Sequence, residues 1–208
     1  MYSQIRPCFG SKTRAKVKKM KLLTMTTRTI DREIQGGNMP ASLLYTICFC
    51  FQGDSVLMLF RNKPPNAQRW NGLGGKFQPG ETPLACIQRE IKEEAGIDLH
   101  LAERLHFAGI VTWGSGVDPT SASTGMYAFI AHFPPTFPTW QGERIMPEGI
   151  LCWQPLTWIC DPQNTVVVEN IPYFLPNMLT QQAPHEYYCD YREKRLQGVQ
   201  VRILNRYA

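Results

Sequence analysis

One stretch constrains this 208-residue chain more than any other feature of its sequence. Residues Gly75 to Ile97 read GKFQPGETPLACIQREIKEEAGI, a loop-like segment followed by a pattern typical of a helix. Thr82 can cap the helix N-terminus, Pro83 suits the first helical position, and Gly96 can adopt the left-handed conformation that ends a helix. The sequence therefore predicts a loop and then a helix that begins at Pro83 and ends just before Gly96.

The predicted helix has an acidic arc beside an apolar one. At about 100° per residue, Glu90, Glu93 and Glu94 lie on one arc. The adjacent arc carries Leu84, Ile87, Ile91 and Ala95. Like charges at these spacings oppose helix formation by about 0.2–0.5 kcal/mol per pair, so a cation is expected nearby. Oxygen ligands alone suit a hard ion such as Mg²⁺. For these residues by themselves, a solvated acidic face remains the alternative.

The spacing of the whole stretch resembles the Nudix box at every defining position. Gly75 is followed after five residues by Glu81, and after seven more by Arg89-Glu90-Ile91; Glu93-Glu94 and Gly96-Ile97 each follow after one residue. A match of this length and spacing is highly specific. Outside the box, the chain resembles the MutT-type branch of this family and, in three runs, the animal oxidised-purine triphosphatases. The similarity extends from about Ser42 to the end of the chain. It is carried by the runs Leu44–Thr46, Trp70–Lys76 and Glu148–Trp153.

The resemblance implies a fold and an activity. The fold would be the Nudix fold, an α/β (α+β) architecture in which an α/β/α sandwich surrounds a mixed β-sheet and the box forms a loop-helix-loop motif. The activity would be hydrolysis of a nucleoside triphosphate such as 8-oxo-dGTP to the monophosphate and pyrophosphate, with Mg²⁺ or Mn²⁺ as cofactor. Two alternatives are a Nudix hydrolase acting on ADP-ribose, a dinucleotide or capped RNA, and a Nudix module that senses a nucleotide without hydrolysing it.

The resemblance also implies a set of catalytic and metal-binding residues. Glu93 and Glu94 are the leading metal ligands, and Glu90 is expected to act as a ligand or as the general base. The carbonyl group of Gly74 would add another oxygen. Glu148 matches an outlying acidic residue of the family and would be a further ligand or the base.

Other residues are expected to brace the site or to bind phosphates. We expect Glu81 to contact Arg89, because a charge-assisted hydrogen bond there would hold the ligands in place. Lys76 and Arg61 are candidates for binding the substrate phosphates, and Arg61 stands where the animal enzymes have lysine. Each of these two residues is otherwise an ordinary surface charge.

Base recognition is the part of the site where the chain departs from the family pattern. Asn71 and Asn170 are candidates for reading the purine edge, since an amide offers both a donor and an acceptor. Thr46 is a further candidate for substrate binding. The animal enzymes have an aspartate pair where this chain has Asn170-Ile171, and a stacking tryptophan where it has Val166–Val168. The sequence therefore leaves the choice of nucleotide open.

The N-terminal segment differs from the rest of the chain in charge. Residues 1–37 contain nine basic and two acidic residues, a net charge of +7, which leaves −2 for the remainder of a chain whose total is +5. We predict a disordered basic extension over residues 1–40 and a Nudix hydrolase domain over residues 41–208. The extension would contact nucleic acid or a membrane surface, direct the protein to an organelle, or represent untranslated sequence before a start at Met39. We favour the last, because the first predicted strand follows Met39.

The remaining elements are predicted from short apolar runs and turn residues. The predicted strands are Leu43–Phe51, Ser55–Phe60, Leu105–Trp113, Gly125–Phe133 and Ile150–Trp153. A helix is predicted over Asn170–Gln182, with Asn170 as its cap and Pro176 near its first turn. The last two runs, Tyr187–Arg192 and Val199–Leu204, predict a hairpin around Gly198.

Cysteine usage and hydropathy indicate the class of protein. The seven cysteines have neither zinc-site nor redox-motif spacing, and Cys48 and Cys50 alternate on one face of a predicted strand. No apolar run approaches the roughly 20 residues needed to cross a membrane. We expect a soluble, cytoplasmic protein, monomeric or homodimeric, whose partner is its nucleotide substrate rather than a nucleic acid or a membrane.

Overall fold

The computed structural model describes residues 43–116, 122–161 and 163–204, together with Ile30 and Ile34. These residues form one nine-stranded sheet in the order β6-β7-β2-β1-β5-β4-β8-β9, with β3 paired to β2. The strands are β1 Leu43–Gln52, β2 Ser55–Arg61, β3 Trp70–Asn71, β4 Arg104–Gly114, β5 Ala122–His132, β6 Glu143–Met146, β7 Gly149–Pro155, β8 His185–Arg192 and β9 Arg195–Ile203. The helices are α1 Pro83–Ala95, a 3₁₀ turn Leu99–Leu101, α2 Leu156–Ile159 and α3 Ile171–Thr180.

The sheet is mixed, and helices cover both of its faces. β1 pairs with β5, and β4 with β8, in parallel, whereas the other pairs are antiparallel. Because side chains alternate along a strand, β1 directs Cys48 and Cys50 toward the core under α1 and Phe49 toward the core under α3. The predicted α/β/α sandwich with a mixed sheet is confirmed. Among the described residues, no helix is long and apolar enough to cross a membrane.

Helix α1 begins and ends as its sequence predicts. The Thr82 hydroxyl accepts a hydrogen bond from the N–H of Ala85 at 3.2 Å, and Pro83 occupies the first turn. Gly96 has φ 70°, a left-handed conformation that favours glycine, and its N–H donates to the carbonyl of Lys92 at 3.0 Å. Local chemistry alone therefore sets both ends of the helix that carries the acidic arc.

The C-terminal hairpin turns at a different place from the one predicted. The turn lies at Glu193-Lys194, whose φ values are 48° and 62°, and Gly198 lies inside β9. A two-residue turn with both central residues left-handed matches the twist of a β-hairpin, even without glycine. The prediction of a turn around Gly198 is wrong because alternation in the sequence does not fix register. The short strands β3 and β6 were not predicted.

Helix α3 is shorter than predicted, and its start is built differently. Asn170 has helical backbone angles, φ −85° and ψ −18°, and its side chain makes no capping hydrogen bond. The amide nitrogen instead lies 3.7 Å from the Sγ atom of Cys189. Pro176 lies inside the helix, and Pro172 occupies the first turn. Asn170 therefore occupies the predicted N-cap position but does not cap the helix with its side chain, because its amide is directed toward Cys189. The predicted place of Pro176 near the first turn is wrong.

Two residues upstream of the predicted domain boundary lie in the core. Ile30 and Ile34 are helical, 1% and 5% exposed, and they belong to the core that α1 covers. Their spacing of four residues places both side chains on one face of a helix turn. The other residues of the segment 1–40 lie outside the described residues, so the basic extension stays a prediction.

Candidate active site

The loop that precedes α1 is fixed against β1 by backbone hydrogen bonds. The N–H of Thr46 donates to the carbonyl of Gly75 at 2.8 Å, and the N–H of Cys48 donates to the carbonyl of Leu73 at 2.7 Å. Gly74 has φ 143°, and a Cβ atom there would overlap the carbonyl oxygen of Thr46. This close approach requires glycine and holds the Gly74-Gly75 backbone beside α1.

Glu94 projects from α1 toward this loop and is almost fully buried. Its Oε2 atom accepts a hydrogen bond from the N–H of Gly74 at 2.8 Å, and the residue is 6% exposed. Burial raises the pKa of Glu94 to about 7, and the Gly74 hydrogen bond opposes this rise. The charges of Glu90 and Glu148 add to the rise in pKa, whereas the charge of Arg61 opposes it. The fold therefore brings Glu90, Arg61 and Glu148 within electrostatic reach of Glu94.

Glu90 lies directly beside Gly75. A Cβ atom on Gly75 would overlap the carboxylate carbon of Glu90, so the loop glycine leaves the space that this carboxylate occupies. Burial raises the pKa of Glu90, although Arg89 opposes the rise. Glu93, by contrast, has a side chain that is 58% exposed at the rim of the site.

Arg89 connects the carboxylates of the helix and the loop. Its Nε and Nη2 atoms donate to the two oxygens of Glu81 at 2.6 and 3.0 Å. Its Nη1 atom donates to Glu90 at 2.8 Å and to Glu93 at 2.9 Å. Nη2 also donates to the carbonyl of Lys76 at 3.1 Å. The hydrogen bonds from Arg89 are the main cause that lowers the pKa of Glu81 to about 2. The predicted contact between Glu81 and Arg89 is present.

The donor atoms of this cluster fit a hard divalent cation. They are all oxygens, and Oε1 of the buried Glu94 accepts no hydrogen bond among the described residues. In that part of the chain, no three His, Cys, Asp or Glu side chains are placed to hold a metal ion by themselves. The two other carboxylates, Glu90 and Glu93, contact Arg89 instead. This arrangement suits Mg²⁺, which retains water and shares substrate phosphates rather than requiring a complete protein cage.

Arg61 and Glu148 lie at neighbouring strands, β2 and β7, and within electrostatic reach of Glu94. They come together because Arg61 of β2 pairs with Gly149 of β7. The carbonyl of Glu148 also accepts a hydrogen bond from the N–H of Asn62 at 3.0 Å. The Nε atom of Arg61 donates to the carbonyl of Pro65 at 2.9 Å. The side chains of Glu148 and Lys76 are exposed, as residues that meet a charged ligand require.

The two predicted base-reading asparagines lie on adjoining segments. The N–H of Trp70 donates to the carbonyl of Val166 at 2.8 Å, and the N–H of Val168 donates to the carbonyl of Trp70 at 2.9 Å. These bonds join β3, which contains Asn71, to the segment that leads to Asn170. Asn71 is half-buried, and its side chain makes no hydrogen bond among the described residues; Asn170 is 7% exposed.

Thr46 occupies a different position from the other predicted substrate contacts. It is buried, and its hydroxyl lies 3.4 Å from the Sγ atom of Cys86 on α1. Cys86 is a site residue that the sequence did not single out; its Sγ atom also lies 3.7 Å from Nη2 of Arg89. Burial raises the pKa of the Cys86 thiol to about 11. The sequence feature that could have identified Cys86 as a site residue was its position about one helical turn before Arg89.

Comparisons with known proteins found a matching family model and similar curated proteins. A family model described as NUDIX domain matches residues 43–178. Oxidized purine nucleoside triphosphate hydrolase of Mus musculus is 37% identical over 75 residues, which cover 36% of this chain and 46% of that protein. The protein of the same name from Danio rerio is 34% identical over 67 residues, covering 32% of this chain and 43% of that protein. The chain thus spans less than half the length of these curated relatives.

A solved structure supports the fold. The crystal structure of a MutT mutator protein from Bacillus halodurans superposes with a TM-score of 0.53 at 21% sequence identity. The superposition covers 76% of this chain and 95% of that protein. At this level of identity, the similarity concerns the fold alone.

Proposed function

Because the chain belongs to the Nudix hydrolase family, we propose that it hydrolyses nucleoside triphosphates to the monophosphate and pyrophosphate. Oxidised purine nucleotides such as 8-oxo-dGTP are the proposed substrates, and removal of damaged nucleotides from the nucleotide pool is the proposed role. The observation that carries the proposal is the contact of Glu94 and Glu90 with the Gly74-Gly75 loop. The names of the two curated relatives support the choice of an oxidised purine.

The proposed cofactor is Mg²⁺, with Mn²⁺ as a substitute. Glu90, Glu93, Glu94 and the carbonyl of Gly74 would hold it, with Glu148 as a further ligand. When bound, a divalent cation neutralises the polyphosphate charge and helps to generate the attacking nucleophile.

The protein groups would position the reactants and move the proton. Glu94 is fixed by the N–H of Gly74, and Arg89 and Glu81 hold the helix against the loop. Two carboxylates are candidates for accepting the proton of the attacking water. Glu90 is partly buried with a raised pKa, which brings it closer to the range of an effective base, whereas Glu148 is exposed.

Basic and amide side chains would bind the rest of the substrate. Arg61, whose charge acts on Glu94, and Lys76, whose carbonyl accepts a hydrogen bond from Arg89, would hold phosphate oxygens. Asn71 and Asn170 would contact the purine edge, and the unused amide of Asn71 supports this role. Thr46 would contribute by fixing the Gly75 backbone, since its hydroxyl faces α1.

A nucleotide screen with the purified chain tests the substrate. We expect 8-oxo-dGTP or a related purine triphosphate to be cleaved with Mg²⁺, and the products to be the monophosphate and pyrophosphate. The screen includes dGTP, dATP, ADP-ribose, a dinucleotide and capped RNA. If one of the last three were cleaved much faster than every triphosphate, the proposed substrate class would be wrong.

The Glu94→Gln variant tests the role of the carboxylate cluster. Gln keeps the shape of the side chain and can still accept the Gly74 hydrogen bond, but it removes the negative charge. We expect turnover to fall by at least about 10²-fold, the scale typical of losing one electrostatic group from an active site. Glu103→Gln, which alters an exposed carboxylate outside the site, is the matched control. Unchanged turnover in Glu94→Gln would contradict the metal-site assignment and favour a different use of the fold.

We also propose a cytoplasmic location and no nucleic-acid partner. Six cysteines in the described part of the chain are free thiols, which suits a reducing compartment. Size-exclusion chromatography with light scattering distinguishes the two proposed assemblies, a monomer and a homodimer.

A further inference from the structure

We infer that Arg89 serves as the counter-cation of the carboxylate cluster when no metal is bound. A divalent cation would displace Arg89 from Glu90 and Glu93, and Glu81 would keep Arg89 beside the site. This inference rests on the proposed binding of a divalent cation. It assigns Arg89 a role beyond bracing the loop. Metal binding would exchange one set of ion pairs for another.

The guanidinium group of Arg89 has two unequal sets of contacts. Toward Glu81 it uses two separate nitrogens, Nε and Nη2, at 2.6 and 3.0 Å from the two carboxylate oxygens. Toward the helix it uses one nitrogen, Nη1, which is shared between Glu90 at 2.8 Å and Glu93 at 2.9 Å. A bidentate pair is stronger than a shared single donor. The contacts with Glu90 and Glu93 are therefore the ones that a competing cation can replace.

Exposure makes the contact with Glu93 the weakest of the three. The side chains of Glu81 and Glu90 are 15% and 14% exposed, whereas that of Glu93 is 58% exposed; the side chain of Arg89 is 21% exposed. Ion pairs that include an exposed carboxylate contribute little, because water screens them. Solvent can reach the helix side of Arg89 at Glu93, while the contact with Glu90 is as protected as the one with Glu81 and differs from it in using a shared single donor.

The positions of the charged side chains explain why Arg89 acts as the counter-cation of the cluster. Among the described residues, Arg89 is the cation within ion-pair distance of Glu81, Glu90 and Glu93. Lys92, the other basic residue of α1, lies 3.4 Å from the carbonyl of Gly96 and contacts none of these carboxylates. Without bound metal, the guanidinium relieves the repulsion within the cluster. A divalent cation would relieve it more fully and would leave Arg89 paired with Glu81.

Two roles of Arg89 predict opposite effects on metal affinity. If Arg89 only braces the ligands, its removal disorders them and weakens Mg²⁺ binding. If Arg89 competes with the metal, its removal frees two carboxylates and strengthens Mg²⁺ binding. The two hypotheses therefore differ in the sign of a measurable change.

The test is titration of the full chain with Mg²⁺ in the absence of nucleotide, followed by isothermal titration calorimetry. We expect Arg89→Met to lower the Kd for Mg²⁺ by about tenfold, the effect of removing one unit charge about 6 Å from a divalent ion in a water-like dielectric. Lys92→Met removes the same charge from the same helix without touching the cluster, and it should change the Kd by less than about threefold. A Kd for Arg89→Met that is higher than the parent value, or equal to that of Lys92→Met, would overturn the inference.

A second pair of variants applies if Arg89→Met does not fold because it leaves the Glu81 carboxylate without its partner, since the double variant removes both members of that ion pair. Glu81→Gln removes the group that retains Arg89, so the guanidinium should pair more fully with Glu90 and Glu93 and raise the Kd. Adding Arg89→Met to Glu81→Gln should reverse that increase, although the double variant has the same net charge as the parent. If the double variant bound Mg²⁺ more weakly than Glu81→Gln, Arg89 would be a brace and the inference would be wrong.

The result is separable from the test of the proposed function. A parent chain that binds Mg²⁺, shows these shifts and hydrolyses none of the nucleotides would contradict the proposed function and support the inference. A parent chain that hydrolyses nucleotides without any Mg²⁺ binding in the absence of substrate would contradict the inference alone.

Discussion

Replacing Gly75 by alanine tests whether the position of the Glu90 carboxylate controls activity without removing any charged group. Gly75 has a backbone conformation that alanine can adopt, since its φ lies outside the left-handed region. The added Cβ atom would nevertheless meet the carboxylate carbon of Glu90 at a separation that real Cβ atoms do not show. The carboxylate must therefore move, and the perturbation is purely steric.

The contacts of Glu90 allow the loss of stability in Gly75→Ala to be estimated. Moving Glu90 breaks its hydrogen bond from Nη1 of Arg89, which is 2.8 Å long. Hydrogen bonds to charged groups contribute about 1.5–3 kcal/mol, and the displaced carboxylate recovers part of this from water. We expect the free energy of unfolding to fall by about 1–2 kcal/mol. Because misplacing a reacting group by about 1 Å can cost 10²-fold, we expect kcat/KM to fall by about that factor.

The assay combines steady-state hydrolysis of the best nucleotide with urea unfolding of the same preparations. Gly198→Ala is the matched control, because Gly198 has an ordinary φ and open space around its Cβ position. This control should retain the parent kcat/KM and lose less than about 0.5 kcal/mol of stability. If Gly75→Ala kept kcat/KM within a factor of three of the parent value, the position of Glu90 would not matter for the reaction.

Two further predictions concern stability. Ile30→Ala should lower the free energy of unfolding of the full chain by about 2–4 kcal/mol, because Ile30 is 1% exposed in the α1 core. Ile203→Ala is the control, because Ile203 is 67% exposed; in urea unfolding it should lower the free energy of unfolding by less than about 0.5 kcal/mol. Equal losses in the two variants would contradict the placement of Ile30 in the core. Burial lowers the pKa of His106 to about 4, so the unfolded chain, with a histidine pKa of about 6.5, binds this proton first. The free energy of unfolding should therefore fall by at most about 3 kcal/mol as the pH drops from about 6.5 to 4. His106→Phe should remove much of this pH dependence between about pH 6.5 and 4.5, where most carboxylates remain ionised. An unchanged pH dependence in His106→Phe would contradict the assignment to His106.

The helix and its acidic arc were predictable because their signals are local. The cap at Thr82, the proline at the first turn and the left-handed Gly96 act through atoms within a few residues of each other. The same holds for the spacing that identifies the family, since Glu81 and Arg89 are only eight residues apart. The positions of the longer strands β1, β2, β4 and β5 were also predictable, because their apolar residues form long runs in the sequence.

Features that depend on distant partners were not predictable in the same way. Asn170 is a good capping residue in sequence, but tertiary packing places its amide beside Cys189, which is far along the chain. The hairpin turn at Glu193-Lys194 depends on how β8 and β9 align, and alternation alone leaves that alignment open. The core positions of Ile30 and Ile34 depend on a sheet that begins after them.

The sequence by itself determined the family of the chain and the arrangement of the acidic side chains on its helix. It determined that Glu90, Glu93 and Glu94 share one side of a helix, because helical geometry converts their spacing into a common direction. Only the tertiary structure decided which oxygen meets which group. Glu94 is held by Gly74, Glu90 fills the space beside Gly75, and one arginine pairs with three carboxylates. Such pairings depend on how the loop lies against β1, and no local propensity specifies a contact between segments that meet only after folding.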